Sequence, residues 1–303
     1  GSDREAGLLY LKGNCLLQEE RYDHAVAAFE RVRAAHAQSE YAPRAAYKIA
    51  WTMFLSGNDE GALAALDTMA GGSASAGDAA FLRGEIFAKR GNYEDAYDEF
   101  RLVADRYPDS EFAADAWFKG GECLVKLERY ASAMTAFDTY AINYPQAVLA
   151  NEALLRAGDA AFMLRDFGAA IDRYSKIAQA APGGNVEEEA LFRLGIALHD
   201  ISNFKVCAET LMKLLDKFPN SPHAAEAHLL VADVYLQEGG DAVQAISHYQ
   251  ASLKADPEGK HAGDALKGLA LARYEARDFD GAIQNFMDLI SEHPTVTLNA
   301  DSY

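Results

Sequence analysis

A ladder of five positions recurs along this chain and leaves little freedom in what the chain can become. From Gly84, Tyr93 follows nine places on, Ala96 twelve on, Phe100 sixteen on and Pro108 twenty-four on. The ladder returns as Gly121, Tyr130, Ala133, Phe137, Pro145, then as Gly158, Phe167, Ala170, Tyr174, Pro182, and with substitutions as Gly195, Phe204, Cys207, Leu211, Pro219. All four copies are offset by 37 residues. Self-similarity at a fixed period of this size marks a repeat architecture, in which each unit buries its apolar face only by stacking on its neighbours.

Extending the ladder finds eight copies, whose small-residue column is Gly13, Ala50, Gly84, Gly121, Gly158, Gly195, Ala232 and Ala270. Each copy holds two apolar-periodic segments of helical length around a polar turn such as Lys89-Arg90-Gly91-Asn92, and so reads as an antiparallel helix pair. Glycine or alanine in the first helix and alanine in the second remove bulk where the two axes must come close. A bulky column (Phe29, Leu66, Phe100, Phe137, Tyr174, Leu211, Tyr249, Phe286) fills the groove beside that contact. Prolines 108, 145, 182, 219, 257 and 294 end the second helices, since proline cannot continue the hydrogen-bond ladder. Ser110 and Ser221, just beyond, read as N-caps that start the next helix about a turn early.

The predicted architecture is all-α, with no sheet, over one domain spanning 1–303. Its repeats are 6–38, 39–74, 75–109, 110–146, 147–183, 184–220, 221–258 and 259–295. The period shortens to 34 where Gly71-Gly72-Ser73-Ala74-Ser75-Ala76-Gly77 replaces the proline, which reads as a loop, with a hinge as the alternative. An extra residue near Gly239-Gly240 lengthens the turn of the seventh copy. Residues 296–303 match the start of a ninth copy, so the chain is expected to be an excerpt of a longer array.

Charge and residue chemistry narrow the function. A formal net charge of −18 argues against nucleic acid as a partner. No apolar run approaches the roughly 20 residues of a membrane span, and no signal peptide is visible. Cys15, Cys123 and Cys207 form no Cys-x-x-Cys pair and read as small buried packing residues. The eight histidines are scattered, and His223 and His228 stand five apart rather than the four that aligns metal ligands on a helix. Asp278-Phe279-Asp280-Gly281 lacks the offsets of a calcium loop and reads as the inter-helix turn. No nucleophile motif and no phosphate-binding loop is present, so no catalytic residue, cofactor or metal site is predicted, and the chain reads as a non-enzyme.

These columns resemble the tetratricopeptide repeat, with its W-x2-L-G-x2-Y…A-x3-F…P pattern. The fourth copy matches most fully, through Trp117, Gly121, Leu124, Tyr130, Ala133, Phe137 and Pro145. The resemblance implies a right-handed α-solenoid of about eight helix-turn-helix repeats. The three residues beyond the usual 34 and the junction from Tyr107 to Phe118 look most like bacterial cell-envelope members, of the Tol-Pal coordinator and outer-membrane assembly lipoprotein type. A location in the bacterial periplasm or envelope follows as an expectation from that resemblance.

In this family the first helices line the concave side and bind extended peptides or partner helices. Carried onto this sequence, that face comprises Tyr47, Phe81, Phe118 and Phe192 (three before the small column), Lys48, Lys119, Arg156 and Arg193 (two before it), and Trp51, Glu85, Glu122 and Asp159 (just after it). The expected partner is a protein segment with basic and apolar residues, held on aromatic rungs edged by charge. The alternative is that the aromatics pack between repeats and the charges form a solvated face. A carboxylate clamp and an asparagine ladder are not expected, because Trp51, Glu85 and Glu122 stand where asparagine would be needed. Two other readings stay open: a structural spacer that self-associates through uncapped ends, and an accessory module of a larger protein.

Overall fold

The computed structural model describes residues 2–69, 75–180, 183–238 and 241–293. Among the described residues there are sixteen α-helices and no strand. They fall in two compact units, Gly1–Ala153 and Leu154–Tyr303. The first holds α1 (Ser2–Gln18), α2 (Tyr22–Ala35), α3 (Tyr41–Leu55), α4 (Asp59–Asp67), α5 (Ala76–Lys89), α6 (Tyr93–Arg106), α7 (Ala113–Lys126) and α8 (Tyr130–Asn143). The second holds α9 (Ala150–Met163), whose first turn precedes the division, α10 (Phe167–Ala180), α11 (Gly184–Asp200), α12 (Phe204–Lys217), α13 (Ala224–Glu238), α14 (Ala242–Ala255), α15 (Ala262–Glu275) and α16 (Phe279–Glu292). Odd-numbered helices are the first helices of the repeats and even-numbered ones the second. The expectations placed on residues 71–74, Pro182, Gly239-Gly240, Pro294 and the ninth copy at 296–303 lie outside the described residues.

The small and bulky columns meet as their chemistry requires. A Cβ added at Gly84 would lie 2.7 Å from Phe100 Cε1, and one at Gly121 would lie 2.7 Å from Phe137 Cε1, inside van der Waals contact. The bulky side chains fill that space completely: Phe29, Leu66, Phe100, Phe137 and Leu211 are fully buried. Ala25, Ala62, Ala96, Ala133, Ala170 and Ala245 of the second helices are sealed beside them. Burying one such phenylalanine contributes about 1.5–3 kcal/mol, and the same close approach joins Gly13 to Phe29, Gly158 to Tyr174 and Gly195 to Leu211.

Among the described residues the same turn joins seven of the helix pairs. The residue seven places after the small column takes a left-handed backbone: Glu20, Gly57, Gly91, Glu128, Arg165, Ser202 and Arg277 have φ between 57° and 82°. The next residue's N–H then reaches back to the end of the first helix, as in Arg129 N to Leu124 O at 2.8 Å and Asn203 N to Leu198 O at 2.9 Å. These bonds satisfy carbonyls that a helix end leaves unpaired. Asn58, Asp241 and Asp278 cap the second helices, accepting from the N–H groups of Gly61, Gln244 and Gly281 at 2.9, 3.1 and 3.1 Å. The turn reading of Asp278-Phe279-Asp280-Gly281 thus corresponds to an N-cap.

Two expectations need correction. Ser110 and Ser221 do not cap the following helices, which start at Ala113 and Ala224. Their hydroxyls instead accept from the N–H groups of Phe112 and His223, 3.2 and 3.1 Å away, shaping a short turn ahead of the helix. Cys123 and Cys207 are buried, and burial pushes their thiols up to about 12 and about 11. Cys15, however, is exposed. Its column is covered in later copies by the preceding second helix, and α1 has none before it among the described residues.

Candidate interaction face

The aromatic column forms a floor rather than exposed rungs. Tyr47, Phe81, Phe118 and Phe192 are only 9, 6, 8 and 6% exposed. Phe81 lies between Phe100 (ring centroids 5.4 Å apart) and Phe112, on which it stacks at 4.6 Å. Phe118 meets Phe137 and Tyr140 edge-on, and Phe192 stacks on His223 at 4.0 Å. Tyr47 stacks on Trp51, which is half-buried and also touches Phe54. Phe112 and His223 belong to the junctions between repeats, so junction residues cover Phe81 and Phe192, while α8 covers Phe118. The expectation of aromatic rungs presented to a partner is corrected accordingly.

Charged side chains make the upper layer. Lys119 reaches Glu85 of the preceding first helix at 2.9 Å, and Arg193 pairs with Asp159 in the same way. In both cases the residue two before one small column bonds to the residue just after the previous one, so the two predicted columns bridge successive repeats. Arg193 also holds Glu189 at 2.7 Å, and Glu189 meets His223 at 2.9 Å. Burial pushes the Glu189 carboxyl up, but His223 and Arg193 outweigh it and hold it below its ordinary value. Half-exposed pairs of this kind contribute at most about 1 kcal/mol each, so they fix the register of adjacent helices more than they stabilise the fold. Lys48 is half-buried on α3, and Glu122 and Arg156 are exposed on α7 and α9.

An apolar cavity of about 280 Å³ opens on this face in the second unit, lined by Asp159, Phe162, Met163, Tyr174, Arg193 and Ile196. The Tyr174 hydroxyl donates to Asp159 at 2.8 Å and so closes the cavity's base. Phe162, Met163 and Tyr174 were not singled out as contact residues in the sequence. The signal was present, since Phe162 and Met163 stand four and five places after the small column, on the same helix face as Asp159. A second-helix cleft of about 430 Å³, between α6 and α8 over Trp117 and Gly120, lies off the predicted face. The first-helix cavity is the better candidate site, because predicted columns converge on it. Among the described residues no group of three or more His, Cys, Asp or Glu side chains could hold a metal ion, and no helix is long and apolar enough to cross a membrane.

Comparison with known proteins agrees with this architecture. The family model YfiO, described as an outer membrane lipoprotein, matches residues 2–118 and 73–237. A tetratricopeptide repeat model matches residues 240–295. A search of the curated proteins finds no match. Among solved structures, the C-terminal part of a TPR repeat-containing protein from Cytophaga hutchinsonii superposes with a TM-score of 0.56 and 15% identity, covering 97% of this chain and 98% of its own. MamA gives a TM-score of 0.53 at 18% identity over 62% of this chain and 99% of its own. YrrB, a TPR protein with an unusual peptide-binding site, gives 0.51 at 18% identity over 65% of this chain and 93% of its own. At such identities the likeness is one of fold. Families of this kind supply protein–protein interaction scaffolds and are typically non-catalytic. The chain is therefore a helical solenoid of tetratricopeptide repeats and belongs to the YfiO outer membrane lipoprotein family.

Proposed function

We propose that this protein binds an extended segment of a partner protein along the exposed side of its first helices, within a bacterial cell-envelope complex. The observation that carries the reading is the cavity of about 280 Å³ where Phe162, Met163 and Ile196 sit beside the Asp159–Arg193 pair. Apolar side chains at the centre with a charged rim are the usual composition of a protein contact site. In the second unit Asp159 and Arg193 would flank bound chain beside the buried Phe192; in the first unit, taken by itself, Trp51, Glu85, Lys119 and Glu122 would do so above the buried Tyr47, Phe81 and Phe118. The envelope setting rests on the family description and on the junction sequence from Tyr107 to Phe118. A photo-crosslinking residue at Met163, 57% exposed, is expected to capture a discrete protein from envelope extracts, and one at Thr135 in the second-helix cleft is not. Capture through Thr135 alone would end this reading.

A second reading, end-to-end self-association, is favoured by the side chains of α16. Ile283, Met287 and Ile290 are 58, 60 and 66% exposed on one stripe, where Ile246 and Leu253 of α14 pack in the core shared with α15. Light scattering over a concentration series tests it: a constant monomeric mass excludes it.

A further inference from the structure

The second-helix cleft between α6 and α8 exists because one side chain is missing. Gly120 stands one place before the small column, where other copies carry Ile49, Leu194, Val231 and Leu269, all of them buried. Ile49 shows what that column does elsewhere: it belongs to the core of Ala28, Phe29 and Val32 of α2, against which Ala65 of α4 packs. A side chain at Gly120 would enter the matching space between α6 and α8, and a Cβ there meets nothing nearer than 3.7 Å. With glycine in place, the space is a cleft of about 430 Å³. Sites for small molecules span roughly 300–1,000 Å³, so the cleft is large enough to take one.

Its lining divides into an apolar body and a charged rim. Trp117 and Tyr97, both half-buried, supply aromatic sides, and Leu124, Ala104 and Ala136 complete the apolar surface. Arg101 is the cation of the described lining, and it is already committed: its guanidinium pairs with Asp98 at 3.3 Å and lies over the Tyr97 ring, 5.8 Å from the centroid. The Thr135 hydroxyl donates to the Ala131 carbonyl at 3.0 Å, so it offers a visitor only its lone pairs. Asp105, exposed on α6 one turn beyond Arg101, is the carboxylate of the lining. Asp98 and Asp105 therefore face a single Arg101, and the rim carries a surplus of negative charge.

An aromatic wall beside a carboxylate suits an organic cation, because the ring face attracts positive charge and the carboxylate answers it. The formal net charge of −18 adds a field of the same sign. An anionic ligand would be repelled by Asp105, and an uncharged one would gain from burial alone. We propose that this cleft binds a small organic cation with an apolar body, its ammonium group beside Asp105 and Trp117 and its body in the space that Gly120 leaves open. The site lies on second helices and is independent of the partner reading placed on first helices.

Three probes that share one body test it: phenylbutylamine, which is cationic at neutral pH, phenylbutanol and phenylbutyrate. The chain has two tryptophans, so Trp51→Phe leaves Trp117 as the reporter, and its emission is followed as each probe is titrated into the intact chain. The amine and the alcohol are expected to bind saturably, the amine about threefold more tightly, and the acid to bind most weakly. Asp105→Asn is expected to bring the amine to the affinity of the alcohol. Gly120→Leu, which fills the cleft, is expected to abolish binding of all three probes and to raise the melting temperature. Should leucine disturb folding, Gly120→Ala, whose Cβ has room, is expected to weaken binding in a folded chain. An amine no tighter than the acid would overturn the choice of ligand class. Binding that survives both Gly120 variants unchanged, or no saturable response to any probe, would overturn the site itself.

Discussion

The hydroxyl of Tyr174 donates to Asp159 across 2.8 Å, joining the bulky column of one second helix to the residue after the small column of its own first helix. The same bond joins Tyr249 to Asp233. Where the bulky residue is Phe29, Phe100 or Phe137, the facing position holds Asn14, Glu85 or Glu122. Tyrosine and aspartate thus occur together because a buried phenol needs an acceptor. Tyr174→Phe is expected to cost about 1 kcal/mol, whereas Asp159→Ala, which strands the phenol and strips Arg193 of a partner, is expected to cost about 2–3 kcal/mol. A double-mutant cycle by urea unfolding measures the coupling, and additive effects would show that the bond contributes nothing.

His228 and His248 meet through their Nδ1 atoms at 3.0 Å, half-buried between α13 and α14 under the ring of Tyr235. One ring must donate and the other accept, so the two rings cannot both be protonated while the bond holds. Burial, helped by the neighbouring His248, lowers His228 to about 4, and burial lowers His248 as well. The unfolded chain takes up these protons near pH 6.5, so stability is present above that pH and is lost as pH falls toward 4. Thermal melts from pH 7 to pH 4.5 should decline more steeply for the wild type than for His228→Gln. Parallel curves would exclude the pair as the source.

Glu128 and Ser202 occupy the left-handed turn position with φ of 57° and 58°, where Gly57 and Gly91 stand in two other copies. The Cβ crowding of this backbone costs an L-residue about 1 kcal/mol, and glycine avoids it. Glu128→Gly and Ser202→Gly are each expected to stabilise by about 0.5–1 kcal/mol, after allowing for the greater entropy glycine loses on folding. Urea midpoints that fall would refute this account of the turn.

Gly121 cannot carry a side chain without moving Phe137. Gly121→Val is expected to destabilise by about 1–3 kcal/mol through overpacking. Phe137→Leu in the same chain should recover part of that loss, whereas a purely helix-propensity effect would gain nothing from it. Gly120, one place earlier, offers the control: an added Cβ there meets nothing closer than 3.7 Å. Gly120→Ala is therefore expected to stabilise, by about the helix-propensity difference of 1 kcal/mol.

The recurrence of small and bulky side chains at fixed offsets determined the helix pairs, their turns and the closest helix contacts. Those features depend on helix geometry and side-chain volume within a single repeat, which a linear sequence records directly. The bridging of Lys119 to Glu85 and of Arg193 to Asp159 was latent in the same columns, because both columns repeat with the period. Which of those side chains reach solvent was decided by the tertiary structure. Phe81 and Phe192 share a helix face with half-buried charges, and Phe112 and His223 from the junctions close over them. Cys15 follows the pattern of Cys123, yet Cys123 is buried against Ala96, Phe100 and Val103 of α6 and Cys15 is exposed. The columns set what each repeat can contribute, and exposure depends on what its neighbours cover.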